Sequence, residues 1–242
     1  MLTSENLKEF TKKLQTGERN VVREYIQHLF LAGLYKSENA EKLLFKGGTA
    51  LRLIFNSPRF SEDLDFTGQN IHSHKEIDGL FIDALSELEK IGITISYKEG
   101  KPTTGGYLGL IHYEIFDIKE DMKFEVSLRR GKIFKGELVS IVSEFTPPYT
   151  LIHIPPKELV SGKIDALLAR KKPRDYYDLY FMLRHPTLNL FVDKNKLRLV
   201  LSLLEAERTD FKRELSVLLP VSHHLILKDL KRILAQEIKK YL

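Results

Sequence analysis

Asp63 and Asp65 flank Leu64 in the stretch SEDLDF, and their type and spacing are suited to chemistry. On an extended strand, side chains at i and i+2 share a face, so both carboxylates point one way while Leu64 and Phe66 point into a core. Two carboxylates about 4 Å apart repel by about 4 kcal/mol at an effective dielectric near 20. A divalent cation removes that cost and turns the pair into a ligand set. Magnesium suits such a site, because it takes oxygen ligands and is commonly held by one or two carboxylates plus substrate phosphates. An isolated Asp-x-Asp is also what an ordinary solvated strand edge shows, so the surrounding residues must decide. Upstream stands FKGGT, residues 45–49. Gly47 and Gly48 let the backbone approach a ligand closely, and a helix starting near Thr49 offers N–H groups and a positive dipole end. That is a phosphate cradle, with the Thr49 hydroxyl as an added donor. A cradle followed by a carboxylate pair is the layout of a metal–nucleoside triphosphate site.

Those residues need elements to hold them. Apolar residues recur at spacings of three and four in NLKEFTKKL and VVREYIQHLFLAGLY, which predicts two amphipathic helices in the first forty residues. A short apolar strand, KLLFKGG, precedes the helical TALRLIF, which NSPRF ends because Pro58 disfavours helix at Ser57. EDLDF alternates as a half-buried strand does, and HKEIDGLFIDALSELEKIG reads as a helix closed by Gly92. A β-rich run follows in ITISYKEG, GYLGLIHYEIF, MKFEVSLRR and ELVSIVSEF, separated by glycines and charged turns. Pro147, Pro148, Pro155 and Pro156 punctuate a change to a nearly all-helical remainder. The expected division is an α/β part over residues 1–150 and a helical part over 151–242.

In the helical part, Lys163 and Arg170 lie at i and i+7 in SGKIDALLARK, on about one face. Such a pair suits triphosphate oxygens, lysine as a point charge and arginine as a fork. Asp175 and Asp178, at i and i+3 in RDYYDLYFML, also share a face. The same residues would equally serve a structural network, with Arg174 and Asp175 at a helix start. Tyr176 and Tyr177 read as core, although aromatic rings beside KKPR could stack on bases.

Together, FKGGTALRL and RFSEDLDF resemble the signature of the DNA polymerase β-like nucleotidyltransferase superfamily. More narrowly they are similar to its AbiEii/AbiGii toxin branch, whose R-x-S-x-DLDF form is matched by Arg59, Ser61, Asp63, Leu64, Asp65 and Phe66. KELVSGKIDALLARKKPRDYYDLYFML matches the branch's later segment with Lys163, Arg170, Arg174, Asp175 and Asp178 in order. The resemblance covers about residues 40–185. It implies an α+β fold: a polymerase β-like core, a mixed sheet with flanking helices, followed by a helical C-terminal domain. It also implies a third carboxylate on a strand beside the Asp-x-Asp strand. Glu125 in MKFEVSLRR is the best candidate, with Asp121 and Glu114 as rivals. The implied chemistry is nucleotidyl transfer from a nucleoside triphosphate to a hydroxyl, with a two-metal magnesium site on Asp63, Asp65 and Glu125. Lys163 and Asp175 would assist catalysis, and Gly47, Gly48, Thr49, Arg59, Ser61, Lys163, Arg170 and Asp178 would bind nucleotide. The branch further implies an RNA acceptor, particularly a tRNA 3′ end, and a toxin restrained by a separately encoded antitoxin. A protein or aminoglycoside acceptor, or a module of this fold that has lost its chemistry, are the alternatives.

Bulk properties are consistent with this. The net charge of +5 and the compact basic stretches SLRRGKIFKG and RKKPR suit a polyanionic partner, or simply a solvated face. No cysteine is present, so disulfides and thiolate metal sites are excluded. No apolar run approaches the length of a membrane span, and the first residues lack a signal peptide's apolar core, which together suggest a cytoplasmic protein. His72 with His74, and His223 with His224, lack companions at metal-ligand spacing, and neither a Walker motif nor a G-x-S-x-G elbow occurs.

Overall fold

The computed structural model describes residues 2–128 and 133–242. The chain forms two compact units, Met1–Asn56 with Phe60–Ile154, and Ser57–Arg59 with Pro155–Leu242.

The first unit opens with helices α1 (Ser4–Leu14) and α2 (Glu18–Leu34). Thr3 caps α1 by accepting the Asn6 N–H at 3.1 Å, as short hydroxyl side chains do at helix starts. Strand β1 (Leu43–Lys46) runs directly into α3 (Gly47–Phe55), and β2 (Leu64–Gly68) follows. Helix α4 (His74–Lys90) begins with a capping box between Ser73 and Glu76. Strands β3 (Thr94–Thr103), β4 (Gly106–Ile115), β5 (Ile118–Ser127), β6 (Glu137–Ile141) and β7 (Tyr149–His153) complete a mixed seven-stranded sheet in the order β3-β4-β5-β2-β1-β7-β6. The pairs β2–β5 and β1–β7 are parallel and the others antiparallel.

Alternation assigns the two faces of the sheet. Met122, Phe124 and Val126 of β5 and Leu64 and Phe66 of β2 are buried. They meet α2 and α4 through Phe30, which stacks on Phe124 at 4.3 Å, and Phe81, 5.0 Å from Phe124. The intervening residues Asp121, Lys123 and Glu125 are exposed on the opposite face. Covering one face with apolar helices thus leaves the other for charged groups.

The structure departs from the sequence expectations at three places. Helix α3 starts at Gly47 rather than near Thr49, so both glycines lie in its first turn. Strand β3 continues past Gly100 through Pro102, which is possible because β3 is an edge strand where a missing N–H costs no ladder bond. YTLIH, between the two proline pairs, forms β7; the register of Phe45 with His153 places it beside β1.

The second unit is helical: α5 (Pro156–Arg170), α6 (Pro173–Arg184), α7 (Lys194–Ala206), α8 (Phe211–Leu218), α9 (His224–Leu227) and α10 (Leu230–Lys239). Lys171, in the left-handed conformation, ends α5, and Pro173 begins α6. A turn this short makes α5 and α6 a helix hairpin. Tyr176 and Tyr177 are buried, and Tyr176 packs edge-on against Phe211 at 5.3 Å, so both belong to the core of this unit.

Candidate active site

The carboxylate pair sits where β2 begins. Asp63 immediately precedes the strand and Asp65 lies within it, both partly exposed, with Leu64 and Phe66 buried between and beyond them. In the parallel β2–β5 ladder Asp65 stands opposite Glu125, and in the antiparallel β1–β2 ladder it stands opposite Lys46. One row of the sheet therefore carries Glu125, Asp65 and Lys46 in that order. Asp121 lies four residues before Glu125 and bonds Lys98 and His112 at 2.9 and 2.7 Å, while Glu114, on β4, pairs with Lys119 at 2.9 Å. Of the three acids weighed, Glu125 is the one in register with Asp65.

The glycine corner is built around this row. Gly47 has φ +87°, and a Cβ on it would stand 2.0 Å from the Asp65 Oδ2. Any larger residue would be strained by its backbone and blocked by the carboxylate. The Asp65 carboxylate thus packs against the first turn of α3, where the helix dipole favours a negative charge. Thr49 is fully buried, and its hydroxyl donates to the Asp63 carbonyl at 2.6 Å. In this arrangement the hydroxyl braces the strand–helix corner. The same corner is held from α2, where the buried Gln27 amide donates to the carbonyls of Ser61 at 3.0 Å and Glu62 at 3.3 Å.

The remaining expected residues lie in the second unit and are paired with one another. Asp178 accepts from Arg59 Nε at 2.7 Å and Nη2 at 3.0 Å, and from Lys163 Nζ at 2.7 Å. Side-chain exposures are 3% for Arg59, 1% for Asp178 and 10% for Lys163. Burial opposes ionisation of Asp178, but the Arg59 and Lys163 cations outweigh it and hold the carboxyl below its ordinary range. Burial likewise works against the Arg59 charge, which Asp178 restores and strengthens. One turn away, Asp175 accepts from Arg170 through Nε at 2.8 Å and Nη2 at 2.7 Å. The i, i+7 cations of α5 and the i, i+3 acids of α6 therefore form a two-rung ladder. The cations expected to hold triphosphate oxygens are engaged by acids of their own unit.

Among the basic stretches, Lys171 and Lys172 are exposed at the α5–α6 turn, and Arg174 stands 3.6 Å from Glu214. Residues 129–132 of SLRRGKIFKG lie outside the described residues. Lys46, Gln27 and Ser127 escaped the sequence reading. Lys46 directly precedes the glycine pair, which was its one signal, whereas Gln27 and Ser127 gain their roles only through contacts distant in sequence.

Asp65 and Glu125, hard oxygen donors on one face in one register row, fit a divalent cation chemically. Among the described residues no group of three or more His, Asp or Glu side chains is gathered closely enough to hold a metal ion as the side chains stand. No helix among them is long and apolar enough to cross a membrane.

Residues 29–241 match the family described as nucleotidyl transferase AbiEii toxin, type IV TA system. Two solved structures share the fold. MenT4, a nucleotidyltransferase toxin from Mycobacterium tuberculosis, superposes with a TM-score of 0.67 at 16% identity, covering 99% of this chain and 90% of its own. JHP933 from Helicobacter pylori superposes with a TM-score of 0.56 at 18% identity, covering 93% of this chain and 96% of its own. No curated protein matches the chain.

Proposed function

Because the chain belongs to the nucleotidyl transferase AbiEii toxin family of type IV toxin–antitoxin systems, we propose that it transfers a nucleotidyl group from a nucleoside triphosphate to an RNA hydroxyl, with the tRNA 3′ end as the favoured acceptor. The bond formed joins the acceptor oxygen to the α-phosphorus, and the bond to the β-phosphate oxygen breaks, releasing pyrophosphate. The observation that carries this reading is the row Glu125–Asp65 on the charged sheet face, adjoining the first turn of α3. Asp63, Asp65 and Glu125 are the residues that would hold magnesium, which when bound supplies a lowered acceptor pKa and neutralises the leaving pyrophosphate. Glu125, exposed at this position, is the group to accept the acceptor's proton. The Gly47 and Gly48 corner gives a phosphate close access to the backbone. The Arg59–Asp178–Lys163 and Arg170–Asp175 pairs hold the second unit's hairpin in one arrangement. The positive balance of the chain favours an RNA partner over a cationic small molecule, and the antitoxin is a separate chain.

Purified protein is incubated with magnesium, total RNA and each α-labelled triphosphate in turn, beside an Asp65→Ala control. The expected result is label in RNA from a preferred nucleotide, absent in the control. Label in protein alone, or label unaffected by Asp65→Ala, would overturn the reading.

A further inference from the structure

Lys46 makes an unusual reach. Its Nζ donates to the Ser127 hydroxyl at 3.0 Å, although Lys46 is on β1 and Ser127 on β5, with β2 between them. Neighbouring strands are about 4.8 Å apart, so two spacings amount to about 9.5 Å. The lysine side chain therefore lies across β2, starting from the row of Asp65 and Glu125 and ending one row on, where Thr67 faces Ser127. A strongly hydrated ammonium laid along a partly buried sheet face is stabilised by nearby negative charge more than by a neutral hydroxyl. By register the side chain sets out beside the carboxylates of Asp65 and Glu125, on the row that it leaves.

The geometry points to Lys46 as a tethered counter-cation of the acidic row, a positioning residue that occupies the carboxylates' field before substrate arrives. The inference rests on the proposed reading of Asp65 and Glu125 as a divalent-cation pair. A fixed positive charge among those carboxylates opposes a second cation arriving alone, because like charges repel across the same short distances. A metal ion arriving with a triphosphate brings four or so negative charges with it, and the ammonium then attracts rather than repels the incoming complex. Lys46 thus biases the site toward loading the metal together with the nucleotide.

The test is calorimetric titration of the nucleotide-free protein with magnesium or manganese alone, comparing wild type, Lys46→Met, Lys46→Arg and Asp65→Asn. Removing the charge in Lys46→Met is expected to tighten divalent binding about tenfold. Lys46→Arg, which keeps the charge, stays within about twofold of wild type. Should Lys46→Met fail to fold, Ser127→Ala releases the ammonium from its strand and shifts the same affinity in the same direction by a smaller factor. An unchanged or weakened affinity in Lys46→Met, with binding still abolished by Asp65→Asn, would overturn the counter-cation role while leaving the acidic pair intact. Divalent binding that ignores Asp65→Asn would overturn both the pair and the inference built on it.

Discussion

On the sheet face of the first unit Glu125 is exposed and Asp65 partly so, each facing a neighbouring strand's charged side chain by register. In the α5–α6 hairpin Asp175 and Asp178 are almost wholly buried, each gripped by a guanidinium fork, and Asp178 also by Lys163. Both regions are built from aspartates at short spacing with nearby basic residues, and their sequences look equally reactive. The difference is what satisfies each carboxylate. A strand displays its side chains perpendicular to the sheet, so a charged row can face outward with only its neighbours for company. A helix hairpin closes two faces on each other, and charges caught there must pair internally or be expelled. The same charged spacing therefore leaves acids partly exposed on the sheet face and buries them in ion pairs between the two helices.

The contrast is broken most severely at Asp178. Asp178→Asn leaves the buried Arg59 and Lys163 cations short of a countercharge, and the expected loss is about 3–5 kcal/mol in urea unfolding at neutral pH. The sign with pH follows from the lowered carboxyl. Its contribution to stability is complete above the unfolded-state pKa near 3.8 and declines as pH falls through the still lower folded value. The gap between wild type and Asp178→Asn should therefore narrow in acid; a gap that stays constant below that range would mean the ion pair is not its source.

Arg170→Gln should cost less, about 1 kcal/mol, because its side chain is 46% exposed and solvent screens what it gives to Asp175. A loss as large as that of Asp178→Asn would place both rungs in one cooperative network, which a double-mutant cycle would then measure.

The smallest stability effect belongs to the sheet face. Asp65→Asn is expected to shift unfolding by less than about 1 kcal/mol while removing label transfer in the incorporation assay. A large destabilisation there would show that Asp65 is architectural like its counterparts in the hairpin, and would erase the contrast.

The periodic elements were readable from the residues. Amphipathic spacing located α1, α2 and α4, and alternation located β2, β4 and β5, because burying one face of each constrains its pattern directly. The Asp-x-Asp strand and the glycine corner were legible for the same reason: short-range geometry ties residue type to position. YTLIH was not legible as β7, since its pairing with β1 and β6 is decided by partners far away in sequence. The hydrogen bond from the Thr49 hydroxyl to the Asp63 carbonyl was likewise not legible, since it joins residues fourteen positions apart across the folded corner.

What the sequence determined by itself was the class of the protein and the identity of its acidic strand, because both rest on local order: glycines, helix, carboxylates. Which charges face outward and which are consumed in pairs was decided only by the tertiary structure. Lys163 and Asp178 are fifteen residues apart and Arg59 and Asp178 more than a hundred, and Lys46 reaches Ser127 across an intervening strand. Electrostatic partners are chosen by distance in space, and chain separations of that size leave no trace in spacing.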